Sequence, residues 1–238
     1  MTLPKVVFVI DHFKNPGAGT EGQLMRLVQG YLLAGGQAHL LVLQDSEFLA
    51  SGRFPCAYSV VGHSRILGPK TWLACWRHIK QLKRQGFSVF HVFFNDSSIL
   101  FPPLVRMARA HCLISRRDMG YWYTPSYLRI LRVTGRFVSG VVVNSNAVGK
   151  ITSASEGIPE HKIHVIYNGY EDFKVLTEPP HDLGAFKRSG EVLLGLVANI
   201  RPIKRMQDAI LAVAYLRRKG LSVKLVIVGD GDTSELQK

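Results

Sequence analysis

An α/β fold built on a mostly parallel, doubly wound sheet is what this sequence predicts, and three observations predict it. Short apolar runs rich in valine and leucine recur along the chain with the length of strands buried on both faces. The segments between them carry apolar residues at three- and four-residue steps and stop at glycine, as amphipathic helices do. The alternation then breaks at residues 171–190, a polar stretch containing Pro179-Pro180 and no apolar period. The expectation is therefore a complete N-terminal Rossmann-like domain over residues 1–172 and a linker over 173–190. The first βαβ unit of a second, incomplete Rossmann-like domain follows over 191–238.

Residues 6–10 read as the first strand, followed by a loop with Pro16, Gly17 and Gly19. Thr20 is the expected N-cap of the next helix, with Gln23 completing a capping box and Glu21 in the first turn. Leu24, Leu27, Val28, Tyr31 and Leu32 form its apolar stripe, ended by Gly35-Gly36. Strands are expected at 39–43 and 57–61, then a helix over 71–85 burying Trp72, Cys75, Trp76, Ile79 and Leu82. Residues 88–94 read as a strand, and the helix after it is expected to begin near Pro102-Pro103, because proline is tolerated in a first turn. A strand at 112–115, a basic helix over 126–137, a strand at 140–143, a helix capped by Asn146 and a strand at 163–166 complete the first domain. In the second, strand 192–200, helix 206–219 and strand 223–228 make one βαβ unit.

The bulk properties narrow the function classes. With 47% hydrophobic residues among 238, the chain has ample material for a core, and its formal net charge of +13 calls for an anionic partner. Cys56, Cys75 and Cys112 are odd in number and lack a CxxC pair, which speaks against a disulfide framework and a zinc site and fits a reducing compartment. The apolar run at 6–10 is too short for a signal-peptide core, and no run reaches membrane-spanning length. A cytoplasmic protein, soluble or peripheral on the inner face of a membrane, is the expectation.

The stretch with the most chemistry is the turn between strand 192–200 and helix 206–219. Arg201 and Lys204 stand at the carboxyl end of a strand and before a helix N-terminus, a setting suited to a phosphate or diphosphate. Gly17, Gly19 and Gly22 spell G-x-G-x-x-G, yet Asp11 to Pro16 separate them from the strand, which is the wrong context for a dinucleotide fingerprint. Glycines before a helix still let backbone N–H groups approach an anion. Arg116-Arg117-Asp118 with Tyr121-Trp122-Tyr123 reads as a cleft wall, where arginine pairs with phosphate and aromatics stack on sugar or base, or as a solvated loop. Arg129, Arg132 and Arg136 line one helix face, either as a solvated stripe or as a contact with an anionic membrane surface. No histidine spacing convinces as a metal site, and Asp230-Gly231-Asp232 reads as a simple loop. Neither a P-loop nor a G-x-S-x-G motif occurs.

Taken together, several blocks resemble the GT-B-fold glycosyltransferases of family 4. They are Gly19-Thr20-Glu21, Val142-Val143-Asn144-Ser145, Gly157-Ile158-Pro159 with Lys162-Ile163, Val165 to Gly169, Ala198-Asn199 through Lys204, and Val228 to Gly231. The resemblance runs from about Lys5 to the last residues. It implies two Rossmann-like domains facing across a cleft and a retaining, metal-independent sugar transfer. The donor is a nucleotide-diphospho-sugar, used as a substrate with no cofactor, and the acceptor a glycan or lipid-linked precursor. Lys204 matches the family lysine that stabilises the leaving diphosphate. Asn199 stands where an arginine is usual, so Arg201 is expected to supply that charge. Gly17, Gly19, Thr20, Asn199, Gly229 and Asp230 are the implied substrate-binding residues. Arg117 stands where a first-domain histidine is often found, and with Asp118 it is the acceptor-side candidate. The family's Glu-x7-Glu pattern and closing helix lie beyond Lys238, so the expectation is a C-terminally truncated chain. The alternatives are a non-catalytic interaction domain and a basic nucleic-acid-binding module. The scatter of basic residues over several elements speaks against the latter.

Overall fold

The computed structural model describes residues 3–62, 68–170, 183–186 and 188–231. The chain divides into two compact units, Met1–Glu171 and Asp172–Lys238. Most of the stretch expected to be a linker, and Asp232, lie outside the described residues.

The first unit is a seven-stranded sheet in which every pairing is parallel. Its elements run β1 (Lys5–Ile10), α1 (Gly19–Leu33), β2 (Ala38–Val42), α2 (Glu47–Ala50), β3 (Tyr58–Val60), α3 (Pro69–Arg84) and β4 (Phe87–Val92). They continue with α4 (Asn95–Met107), β5 (His111–Arg116), α5 (Pro125–Thr134), β6 (Gly140–Val143), α6 (Asn146–Glu156) and β7 (Ile163–Val165). The order across the sheet is β3-β2-β1-β4-β5-β6-β7, so the winding reverses between β1 and β4. Ligands of open α/β sheets bind at the carboxyl edge beside such a reversal.

Strand alternation divides the core. Val7, Val9, Phe90, Val92, Cys112, Ile114, Val141 and Val143 point to one face, where Ile79 of α3, Leu104 of α4 and Val148 of α6 cover them. Val6, Phe8, Ile10, Leu40 and Val42 point to the other, under Leu24 and Val28 of α1. Each such fully buried side chain stabilises the fold by roughly 1.5–3 kcal/mol. Among the described residues that second face is covered only in part. Beyond α1, the strand residues Val89, His91, Leu113 and Val142 border an open groove of about 1200 Å³, flanked by Leu27 and Tyr31 of α1 and by Tyr167 and Tyr170. Leu27, expected in the buried stripe, is accordingly 39% exposed.

Three helix starts differ from expectation for physical reasons. Helix α4 begins at Asn95, with Pro102 and Pro103 inside it. Its first-turn N–H groups are held by Asp11 from the end of β1, a cap supplied by another element. The capping box at Thr20 does not form: α1 starts at Gly19 after Ala18, whose side chain cannot cap. Gln23 instead donates to the Gly169 carbonyl at 2.9 Å. The cap of α6 is Ser145, whose hydroxyl accepts from the Val148 N–H, and Asn146 is the first helical residue.

The second unit holds β8 (Val192–Val197), α7 (Met206–Arg218) and β9 (Val223–Val228), with β8 and β9 parallel and in register from Val192↔Val223 to Val197↔Val228. This is the βαβ unit expected from the sequence. Met206 is its one fully buried helix residue among those described.

Candidate functional site

At the carboxyl edge of the first unit, the loop after β1 is anchored by Phe13, buried against the rings of Phe48 and Phe54. Glu21, in the first turn of α1, turns its carboxylate back to accept from the Lys14 and Asn15 N–H groups. Gly22 is required by packing, since a Cβ there would lie 2.6 Å from the Pro16 carbonyl oxygen. Gly17 and Gly19 are exposed, and a Cβ on Gly19 would meet nothing within 4 Å. Neither packing nor a positive φ explains the glycine at 19. With no side-chain cap on α1, the N–H groups of Gly19 and Thr20 have no partner among the described residues and suit an anion.

Across the reversal point stands a pair of carboxylates that the sequence reading passed over. Asp11 accepts from the Ser97 N–H at 2.8 Å, the Ser97 hydroxyl at 2.5 Å and the Asp96 N–H at 3.2 Å. Burial nevertheless holds its carboxyl above the usual range, with the Ser97 bonds opposing. Asp96 is also raised, first by burial and then by the charge of Asp11, and it accepts from the Tyr127 hydroxyl at 3.3 Å. Phe94, just before α4, adopts φ 64°, a strained conformation for a bulky residue. The available signal was that Asp11 is the first polar residue after β1. Its partners, 85 and 86 positions on, gave none.

The Arg116-Arg117-Asp118 run splits into three roles. Arg116 is buried and gives two parallel hydrogen bonds to Glu156 of α6, at 2.6 and 2.9 Å, plus one to the Ser98 hydroxyl at 2.8 Å. Trp122 covers its guanidinium at 5.6 Å, and Tyr123 donates to the same Glu156. Burial opposes its charge, but Glu156 outweighs that and holds the pKa above the ordinary arginine value. The expectation that this arginine lines a cleft to meet phosphate is corrected: its charge is spent inside the protein. Arg117 donates to Asn168 and lies over the Phe93 ring at 5.8 Å, bordering the groove. Its Nε is buried without a partner among the described residues, and burial lowers its pKa. Asp118 accepts from the Gly120 N–H at 2.7 Å and shapes the turn.

In the second unit, the ladder runs past β8 through Ile200, whose N–H donates to the Asp230 carbonyl at 2.8 Å. Gly229 permits that closeness, because a Cβ there would fall 1.9 Å from the Ala198 carbonyl oxygen. Asp230 accepts from the neighbouring Gly231 N–H. A 3-10 turn over Pro202–Lys204 leads to Arg205 in the left-handed region and then to α7. Arg205 pairs with Asp208 at 2.7 Å. Arg201, Lys204 and Asn199 are exposed, and the side chains of Arg201 and Lys204 have no partner among the described residues. Among those residues no group of three or more histidine, cysteine or carboxylate side chains could hold a metal ion, and no helix is long and apolar enough to cross a membrane.

No curated protein matches the sequence. Among solved structures, the Anabaena protein HepE, in complex with UDP and glucose, aligns with a TM-score of 0.73 at 20% identity over 99% of this chain and 63% of that one. A glycosyltransferase from Rickettsia africae aligns with a TM-score of 0.63 at 13% identity, over 98% and 70% of the two chains. The lipopolysaccharide outer core galactosyltransferase WaaB, in its apo form, does so with a TM-score of 0.62 at 13% identity, again over 98% and 70%. The chain thus spans 63% of the length of HepE, and these likenesses establish a GT-B-like fold. Residues 17–172 match the model of Glycosyltransferase Family 4, well over half of the chain. The protein belongs to that family.

Proposed function

We propose that this chain serves the transfer of a sugar from a nucleotide-diphospho-sugar to a glycan or lipid-linked acceptor, with retention and without a metal. The carrying observation is the turn after β8, where Arg201 and Lys204 stand exposed with no carboxylate partner among the described residues. In the reaction the bond from the sugar's anomeric carbon to the diphosphate oxygen breaks. A bond to an acceptor hydroxyl oxygen forms on the same face of the sugar, and the hydroxyl proton passes to the leaving diphosphate. Charge therefore grows on the diphosphate, and preorganised cations beside a helix N-terminus stabilise it there. Lys204 and Arg201 have that role. Asn199, Gly229 and Asp230 line the same edge of the second unit. Gly17, Gly19 and Thr20 form an anion-receiving loop on the first, and Arg117, with the turn shaped by Asp118, is its acceptor-side group. UDP and glucose in the structure of HepE are in keeping with such a donor.

Calorimetric titration with UDP, GDP and ADP tests the reading, run on the parent chain and on an Arg201→Ala, Lys204→Ala double variant. Binding by the parent that disappears in the variant is the expected result. A parent chain that binds none of the three nucleotides overturns it.

A further inference from the structure

Arg117, Asn144 and Asn168 stand just past the carboxyl ends of β5, β6 and β7, three neighbouring strands of the first unit's sheet. Asn144 donates from Nδ2 to the Arg117 carbonyl at 3.0 Å, a bond that any side chain at 117 would permit. Arg117 itself donates from Nη1 to Oδ1 of Asn168, with its guanidinium 5.8 Å from the centre of the Phe93 ring. Two residues further on, the ring of Tyr170 lies 5.6 Å under the guanidinium of Arg26 from α1. Gln23 of the same helix donates to the Gly169 carbonyl between them. Two arginines from different elements thus converge on the three consecutive residues Asn168, Gly169 and Tyr170.

Among the described residues neither arginine has a counter-ion, since the ion pairs there are made by Arg116, Arg205 and Arg217. Glu156 is taken by Arg116, and Asp118 turns to the Gly120 N–H. The groove that Arg26 and Arg117 border has no aspartate or glutamate among its described lining residues. His91, which lines it too, is kept uncharged near neutral pH by burial and by the charge of Arg117. Holding Asn168 occupies one of the five N–H groups of Arg117. It leaves the half-buried charge uncompensated. It also leaves Nε, like Oδ1 of Asn144, shielded from solvent with no partner among the described residues. Folded proteins pair nearly all buried donors, and a buried charge without a counter-ion is costly. A water molecule would pair Nε and Oδ1, but a neutral molecule does not offset the charge. An anion does.

We propose that Arg117 and Arg26 receive an anionic group, a phosphate or a carboxylate, carried by the acceptor, so that this chain selects acceptors bearing one. A guanidinium offers planar pairs of N–H groups that match two oxygens of such a group. Arg117 meets it from the strand ends and Arg26 from α1. Both are specificity-determining residues, which fix where the acceptor lies and take no part in making or breaking bonds. Calling the ligand an acceptor rests on the sugar-transfer reading, whereas the anion site belongs to the first unit and does not depend on Arg201 or Lys204.

Calorimetric titration of the full chain with inorganic phosphate, glucose 6-phosphate and glucose tests it, at constant ionic strength and with and without saturating UDP. Binding of the two phosphates but not of glucose is expected, and UDP should not displace them. Arg117→Gln, which removes the charge and keeps a side-chain donor, should weaken that binding about tenfold or more. Arg26→Gln, at an exposed position, should weaken it less, and Arg117→Lys should fall between Arg117→Gln and the parent. Arg129→Gln, exposed on α5 and outside the groove, should bind as the parent does, with native melting in every variant. Failure to bind either phosphate, equal losses in Arg117→Gln and Arg129→Gln, or displacement of the phosphates by UDP would each overturn the proposal. So would phosphate binding that Arg201→Ala with Lys204→Ala removes and Arg117→Gln spares, because the phosphate would then occupy the turn after β8. Titration with UDP alone reads the diphosphate site, so either reading can fail with the other standing.

Discussion

Arg116 and the Arg201–Lys204 pair occupy comparable places, at or just past the carboxyl end of a parallel strand, and they have opposite fates. Arg116 is 4% exposed and meets both oxygens of Glu156 in α6. Arg201 and Lys204 are exposed, and their side chains have no partner among the described residues. Position relative to the strand does not separate a cation that holds the fold from one left at the surface. A carboxylate on the neighbouring element does. Arg117 lies between these extremes, hydrogen-bonded to Asn168 yet with its buried Nε unpartnered.

The sharpest way to break this contrast is Glu156→Gln, which leaves Arg116 charged and buried without a counter-ion. It should destabilise the first unit by about 3–5 kcal/mol. Denaturant unfolding followed by fluorescence reads this unit alone, because all three tryptophans, Trp72, Trp76 and Trp122, lie in it. A loss below about 1 kcal/mol would place the pair with weak surface bridges.

Next in size is an effect of pH. His91 is buried beside Ser115, and burial, helped by the charge of Arg117, lowers its pKa to about 3. The unfolded chain takes up that proton below about pH 6.5 while the folded chain does not. Stability should therefore fall by about 1.4 kcal/mol per unit as pH drops from 6.5 toward 4. Asp11 and Asp96, held above the usual carboxylate range, act in the opposite direction near the bottom of that window. His91→Gln should flatten the slope, and an unchanged slope would show that His91 does not control it.

Replacing Arg201 and Lys204 together by alanine should leave the melting temperature within error, since exposed substitutions usually change stability by less than about 0.5 kcal/mol. The same variant should lose about 3 kcal/mol or more of nucleoside-diphosphate affinity, at roughly 1.5–3 kcal/mol for each charged hydrogen bond. A large drop in melting temperature would make these cations structural and erase the contrast with Arg116. The smallest effect is Ser145→Ala, which removes the α6 cap and should cost about 1 kcal/mol in the same fluorescence assay. Asn146→Ala should cost less, and the reverse ranking would restore Asn146 as the cap.

These cases show which parts of the molecule a sequence displays. The strand–helix rhythm was legible because each element's apolar period lies within its own dozen residues. The turn after β8 was legible for the same reason, with Arg201, Pro202 and Lys204 adjacent to a strand of valine and leucine. The partner of Arg116 lies 40 positions away, and nothing near Arg116 marks Glu156 as its counter-ion. The start of α4 was misplaced at Pro102 because its cap comes from β1 and the local signal was only the prolines. At Thr20 a capping-box pattern was present, yet Glu21 and Gln23 were drawn to the loop and to Gly169. Local pattern predicts local bonds, and tertiary partners override them.

The capping of α4 by Asp11 also bears on the order in which the chain folds. A helix with its cap next door can nucleate alone, but the first turn of α4 is completed by a carboxylate more than 80 residues upstream. Closing so long a loop loses chain entropy before any contact is gained, and such contacts form slowly. The first turn of α4 is therefore expected to be secured only after β1 and β4 have paired. On this argument the first turn of α4 should order late, and an Asp11→Ala chain should populate a state with the sheet assembled and that turn still frayed.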